Sequence, residues 1–121
     1  MSRTILIVDD SATMRELVRH TLTDAGFVVL EGANGQEGLK KLDGQKVDLI
    51  ISDVNMPVMD GITFVERLRG LPSCKFTPVL MLTTETQAAK KDAAKKAGAT
   101  GWVVKPFNPD QLRSVIGKVL P

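Results

Sequence analysis

A chain of 121 residues with a formal net charge of +2 holds a single hydrophobic core, and that charge is too small to argue for nucleic acid. Its 43% hydrophobic and 25% charged residues are those of an ordinary soluble domain. Thr4–Val8 is far too short for a membrane span or a signal-peptide core, and the lone Cys74 excludes an internal disulfide or a cysteine-rich metal site. Cys74 is expected in a loop as an incidental thiol. No repeat or linker breaks the sequence, which predicts one cytoplasmic domain over 1–121.

Apolar runs alternate with helical patterns five times, the arrangement of successive βα units around a parallel sheet. Thr4–Val8 predicts the first strand, followed at once by Asp9 and Asp10. Met14, Leu17, Val18, Leu22 and Ala25 share one face of a first helix that stops at Gly26. Residues 28–30 make a short second strand. Asn34 and Glu37 have the spacing of a capping box before a second helix carrying Leu39 and Leu42. Residues 48–52 form a third strand ending in Asp53. Asp60 caps a third helix with Ile62, Val65 and Leu68 inward and Arg69 at its edge. Residues 78–82 lead to Thr83. The fourth helix, 86–97, offers only alanines as apolar positions among Lys90, Lys91, Lys95 and Lys96, so it buries little area and is expected to be held weakly and free to move. Residues 101–104 lead to Lys105, and Asn108-Pro109 opens a last helix with Leu112, Val115, Ile116 and Val119 on one face. His20 lies off the first helix's apolar stripe and reads as a solvated surface residue.

In an open parallel sheet, ligands bind outside the carboxyl ends of the strands. Asp9, Asp10, Asp53, Thr83 and Lys105 each follow such an end, so they are expected to meet in one pocket. Two carboxylates ~4 Å apart repel by roughly 4 kcal/mol at an effective dielectric of about 20, which calls for protonation or a cation. Oxygen-rich acidic sites suit magnesium, commonly shared with a phosphate ligand. Asp9, Asp10 and Asp53 are candidate ligand suppliers, together with the backbone carbonyl of Asn55. Aspartate is also a nucleophile towards phosphorus. Asp53 ends the most continuously apolar run and is expected to be the most central of the three.

The segments Ile5-Leu6-Ile7-Val8-Asp9-Asp10-Ser11, Asp53-Val54-Asn55-Met56-Pro57-Val58-Met59-Asp60-Gly61, Leu82-Thr83-Thr84, Ala97-Gly98-Ala99 and Lys105-Pro106-Phe107 together resemble receiver domains of two-component response regulators. Within these, the chain looks like the stand-alone chemotaxis regulators of the CheY type. The resemblance implies a flavodoxin-like α/β fold with five helices and a five-stranded sheet ordered 2-1-3-4-5, the order CheY itself exemplifies. It implies that Asp53 accepts a phosphoryl group from a CheA-type histidine kinase. Magnesium would be held by Asp9, Asp53 and the Asn55 carbonyl, with Asp10 acting through metal-bound water. By the same resemblance Thr83 grips the phosphoryl oxygen, Lys105 is its ion-pair partner, and the bond before Pro106 is cis.

Three residues before Lys105 the family usually carries tyrosine or phenylalanine, and here stands Trp102, expected to report or drive the switch. Glu85, beside the pocket mouth, is expected to tune phosphoryl lifetime. The fourth helix, the 101–104 strand and the last helix form the expected readout surface, where Lys90, Lys91, Lys95 and Lys118 call for acidic partner segments. The resemblance favours a monomer without an output domain, docking to a FliM-like flagellar motor switch protein, with a phosphatase as a further candidate partner; a phosphate-sink role and a non-flagellar chemosensory pathway are alternatives. A magnesium-dependent aspartyl-phosphate phosphatase is the rival from another class, but an amide at Asn55 cannot serve as general acid or base. Neither nucleic acid nor membrane is an expected partner.

Overall fold

The computed structural model describes residues 3–84 and 88–120. Five parallel strands lie in the order β2-β1-β3-β4-β5: β1 Thr4–Val8, β2 Val28–Gly32, β3 Leu49–Asp53, β4 Val79–Thr84 and β5 Gly101–Lys105. The helices are α1 Ala12–Asp24, α2 Gly35–Leu42, α3 Gly61–Leu68, α4 Ala88–Ala97 and α5 Pro109–Val119. This is the flavodoxin-like α/β architecture expected from the sequence.

Side chains of successive strand residues point to opposite faces, and the sheet accordingly separates two apolar layers. Leu6, Val8, Ile50, Val79 and Met81 face Leu42, Phe64, Val65, Leu68 and Ala94. On the other face Ile5, Ile7, Leu49, Ile51, Leu80, Leu82 and Val103 meet Val18 and Leu22 of α1 and Leu112 and Ile116 of α5. Phe64, absent from the expected inner face of α3, is fully buried, whereas Ile62 is only partly so.

The caps are close to those expected. Asp60 accepts from Thr63 N–H, and Asn108 and Gln111 form a reciprocal capping box ahead of Pro109. Asn34 accepts from Glu37 N–H, but the Glu37 carboxylate turns to the N–H of Ala33 instead of closing a box on Asn34. Cys74, expected in a loop as an incidental thiol, is buried at the end of a short 3-10 turn, Pro72–Cys74, packed into the core. His20 is exposed and lies 3.9 Å from Asp24. No helix among the described residues is long and apolar enough to cross a membrane.

α4 is the least embedded helix. Among its described side chains only Ala94 is fully buried. A cluster of backbone acceptors holds its far end: Arg69 donates from Nε (3.2 Å) and Nη2 (2.7 Å) to the Gly98 carbonyl. Its Nη1 reaches the Cys74 and Thr77 carbonyls at 2.7 and 2.6 Å. Burial lowers the pKa of this guanidinium from its ordinary value.

Candidate functional site

Strand register assembles the site. Val8 is level with Ser52, Asp53 with Leu82, and Thr84 with Lys105, so the carboxyl ends of four strands open at one edge of the sheet. Asp53 and Lys105 are the last residues of their strands and Thr83 the last but one of β4, where the sequence placed each just past an end. Their backbones stay in the ladder although their side chains are polar.

Carboxylate oxygens of Asp9, Asp10 and Asp53 lie within 4.8 Å of one another. Asp9 is fully buried, Asp53 nearly so, and Asp10 exposed at the rim. Lys105 Nζ stands 3.6 Å from Asp9 Oδ2 and 3.4 Å from Asp53 Oδ2, an ion pair with both. Ser11 N–H donates to Asp9 Oδ1 at 2.9 Å and Val54 N–H to Asp53 Oδ1 at 2.8 Å. Each buried carboxylate thus has one oxygen fixed by the backbone and turns the other towards the cluster. Burial raises the Asp9 pKa above its ordinary value; the Ser11 N–H and Lys105 oppose that shift, while Asp53 and Asp10 add to it.

Among the described residues Asp9 Oδ2 and Thr83 Oγ1 are buried without a hydrogen-bond partner. Buried polar atoms left unpaired are costly. Asp9 Oδ2, left with only its 3.6 Å ion pair to Lys105, and a buried Thr83 hydroxyl on the strand next to Lys105 fit a divalent cation and a tetrahedral anion. The donor set is all oxygen, as magnesium requires.

Other groups, absent from the sequence-level reading of the site, support these. Arg15 of α1 donates from Nη1 to the Asp9 carbonyl at 2.5 Å, and its Nε lies 3.5 Å from Glu31 at the end of β2. Gly61 N–H donates to the Val54 carbonyl at 2.8 Å, and a Cβ at Gly61 would sit 2.0 Å from the Asp53 carbonyl oxygen. Between them the loop makes a tight three-residue turn, Met59 N–H to Pro57 O at 2.7 Å, with Val58 exposed at φ 70°. A β-branched residue there is strained.

The remaining expected residues fall as follows. Asn55 is exposed in the loop after Asp53. Trp102 is half-buried on β5, on the same face as α4, with Lys91 Nζ 5.0 Å from its ring centroid. The Lys105–Pro106 bond is cis. Lys90, expected on the readout surface, is exposed and also reaches Asn55 Oδ1 at 2.7 Å. Glu85 lies outside the described residues, as does the expected start of α4 at 86.

Comparison with known proteins agrees with this geometry. The response regulator receiver domain family matches residues 5–117, and the chain belongs to that family. Within it the chain is of the CheY type. It is 40% identical over 118 residues to the chemotaxis protein CheY1 of Helicobacter pylori, covering 96% of this chain and 95% of that one. A CheY homolog of Campylobacter jejuni is 39% identical over 118 residues, covering 96% and 91%. The solved structure of the chemotaxis response regulator CheY4 of Vibrio cholerae superposes with a TM-score of 0.95 at 52% identity, covering 99% of this chain and 100% of that one. Receiver domains of this type are signalling domains that take phosphoryl groups from histidine kinases and dock onto other proteins.

Proposed function

We propose that Asp53 is the phosphoacceptor of a cytoplasmic chemotaxis regulator that is loaded by a CheA-type histidine kinase and signals by docking, to a FliM-like motor switch component. The supporting observation is the convergence of the Asp9, Asp10 and Asp53 carboxylates within 4.8 Å, with Lys105 paired to Asp9 and Asp53. An Asp53 carboxylate oxygen forms the new bond to phosphorus, and the donor's leaving nitrogen departs with the electron pair of the bond that breaks. Asp9, Asp53 and the Asn55 carbonyl would hold magnesium, with Asp10 at the rim. When bound, magnesium would supply charge neutralisation for the incoming phosphoryl oxygens. Lys105 pairs with Asp53 and orients it, and the Thr83 hydroxyl donates to a phosphoryl oxygen. The family match over residues 5–117 and the coverage of CheY1 over 95% of its length support reading residues 1–121 as one receiver unit.

A hydrogen bond from Thr83 to a charged acceptor contributes about 1.5–3 kcal/mol. Swinging a two-state equilibrium from 1:99 to 99:1 takes about 5.5 kcal/mol. Thr83 alone therefore leaves the switch incomplete, and Lys105 or a repacked Trp102 supplies the rest. Acetyl phosphate with magnesium should place one phosphoryl group per chain, mapped by peptide analysis to Asp53. Catalytic turnover without a stable adduct, or a label mapped elsewhere, would remove this reading.

Arg15 fixes the backbone of Asp9, and Glu31 holds Arg15 in place. Glu31→Gln removes a negative charge near the site and loosens that support, so both effects act in one direction. Magnesium affinity by calorimetry should fall about threefold to tenfold, less than the roughly 10–100-fold of a partner bonded directly to a metal ligand's side chain, because Glu31 acts through Arg15. An unchanged affinity would show that Glu31 is only a surface ion-pair partner.

A further inference from the structure

Lys90 and Lys91 are neighbours on α4 but grip different parts of the protein. The Lys90 ammonium is 2.7 Å from Asn55 Oδ1, across 35 positions of chain, in the loop that follows Asp53. The Lys91 ammonium lies 5.0 Å from the Trp102 ring on β5. Consecutive helical residues point roughly 100° apart, so one short stretch of α4 reaches both the site loop and the indole. Apolar burial contributes little here, because Ala94 is the only fully buried side chain among those described on this helix. Polar ties therefore carry an unusual share of its attachment.

We propose that Lys90 is a positioning residue: through Asn55 it ties α4 to the phosphoacceptor loop while the site is empty, and filling the site opposes that tie. The proposal deepens the receiver reading and rests on it. The Asn55 backbone carbonyl is a proposed metal ligand, so drawing it into the site moves the peptide whose side chain Lys90 holds. An ammonium beside that loop also disfavours a second cation nearby. By reciprocity, the tie weakens magnesium binding by the factor that magnesium weakens the tie.

The test uses the full chain with neither magnesium nor phosphoryl mimic, reading amide hydrogen exchange along α4. Lys90→Met keeps the side chain's length and helix preference but removes the charge; Asn55→Ala cuts the same bond from the other side and keeps the backbone carbonyl. Each should speed exchange of α4 amides about threefold to tenfold, the range of one net hydrogen bond. The double variant should add nothing further, and Lys90→Arg should keep the native protection. In a magnesium titration followed by Trp102 emission, Lys90→Met should bind the ion about threefold tighter. Unchanged exchange in the single variants, or additive effects in the double, would overturn the tie. Failure of the native protein to take a label on Asp53 would instead overturn the receiver function, and the exchange measurement distinguishes the two.

Discussion

Asp9→Asn should melt about 3–8 °C higher than the native protein at pH 7 without magnesium, and should lose most of the stabilisation that added magnesium gives. Asp9 is fully buried, its Oδ2 has no hydrogen-bond donor among the described residues, and two other carboxylates crowd it. Asparagine keeps the acceptor for Ser11 N–H while removing the charge. Relieving a poorly compensated buried charge contributes about 1–2 kcal/mol, which corresponds to the stated shift for a domain of this size. Burial is the leading cause of the raised Asp9 pKa, so the native state binds this proton more tightly than the unfolded chain. Its stability contribution is complete below the ordinary carboxylate value of 3.8 and is lost as pH rises through the raised native value. The advantage of asparagine should therefore be full at neutral pH and fade in acid. A variant melting at or below the native temperature at pH 7 would show that Lys105 already compensates Asp9.

Gly61→Ala should lower stability by about 3 kcal/mol or more and slow phosphoryl uptake from acetyl phosphate roughly a hundredfold. The added Cβ would lie 2.0 Å from the Asp53 carbonyl oxygen, and backbone cannot yield as a flexible side-chain tip can. Either α3 backs away and its bond from Gly61 N–H to Val54 O is lost, or Asp53 moves. A displacement of about 1 Å at a reacting group costs on the order of a hundredfold in rate. Gly117→Ala is the control: it sits in α5 with nothing within 4 Å of the new methyl and should gain about 1 kcal/mol of helix preference. Urea denaturation and a labelling time course measure both effects. Native-like uptake in Gly61→Ala would mean that the loop can shift without taking Asp53 with it.

The order of elements and the meeting of Asp9, Asp10, Asp53, Thr83 and Lys105 were legible because both depend on patterns along single segments. An apolar run marks a strand, and parallel topology sends every carboxyl end to one edge. Strand ends were read short at Asp53, Thr84 and Lys105 because hydropathy stops where the side chain turns polar, although ladder bonds continue. Phe64 was missed because the stripe from Ile62 through Val65 to Leu68 already satisfied helical spacing. Cys74 looked incidental because nothing local signals a buried 3-10 turn. Arg15 on the Asp9 carbonyl and Lys90 on Asn55 depend on where long side chains end, which no spacing rule records. Lys90 was accordingly read only as one of the cations of the readout surface, and its contact with Asn55 was not foreseen.

The guanidinium of Arg69 has a mechanical consequence for signalling. By clamping the Gly98 carbonyl to those of Cys74 and Thr77, it fastens the chain just beyond the C-terminus of α4. A rod fixed at one end can only swing about that end. Ten residues of helix span about 15 Å, so a tilt of roughly 10° carries the opposite tip some ~2.5 Å while the clamped tip stays nearly still. The fulcrum lies at the Gly98 end, and the end that swings is the one Lys90 ties to Asn55.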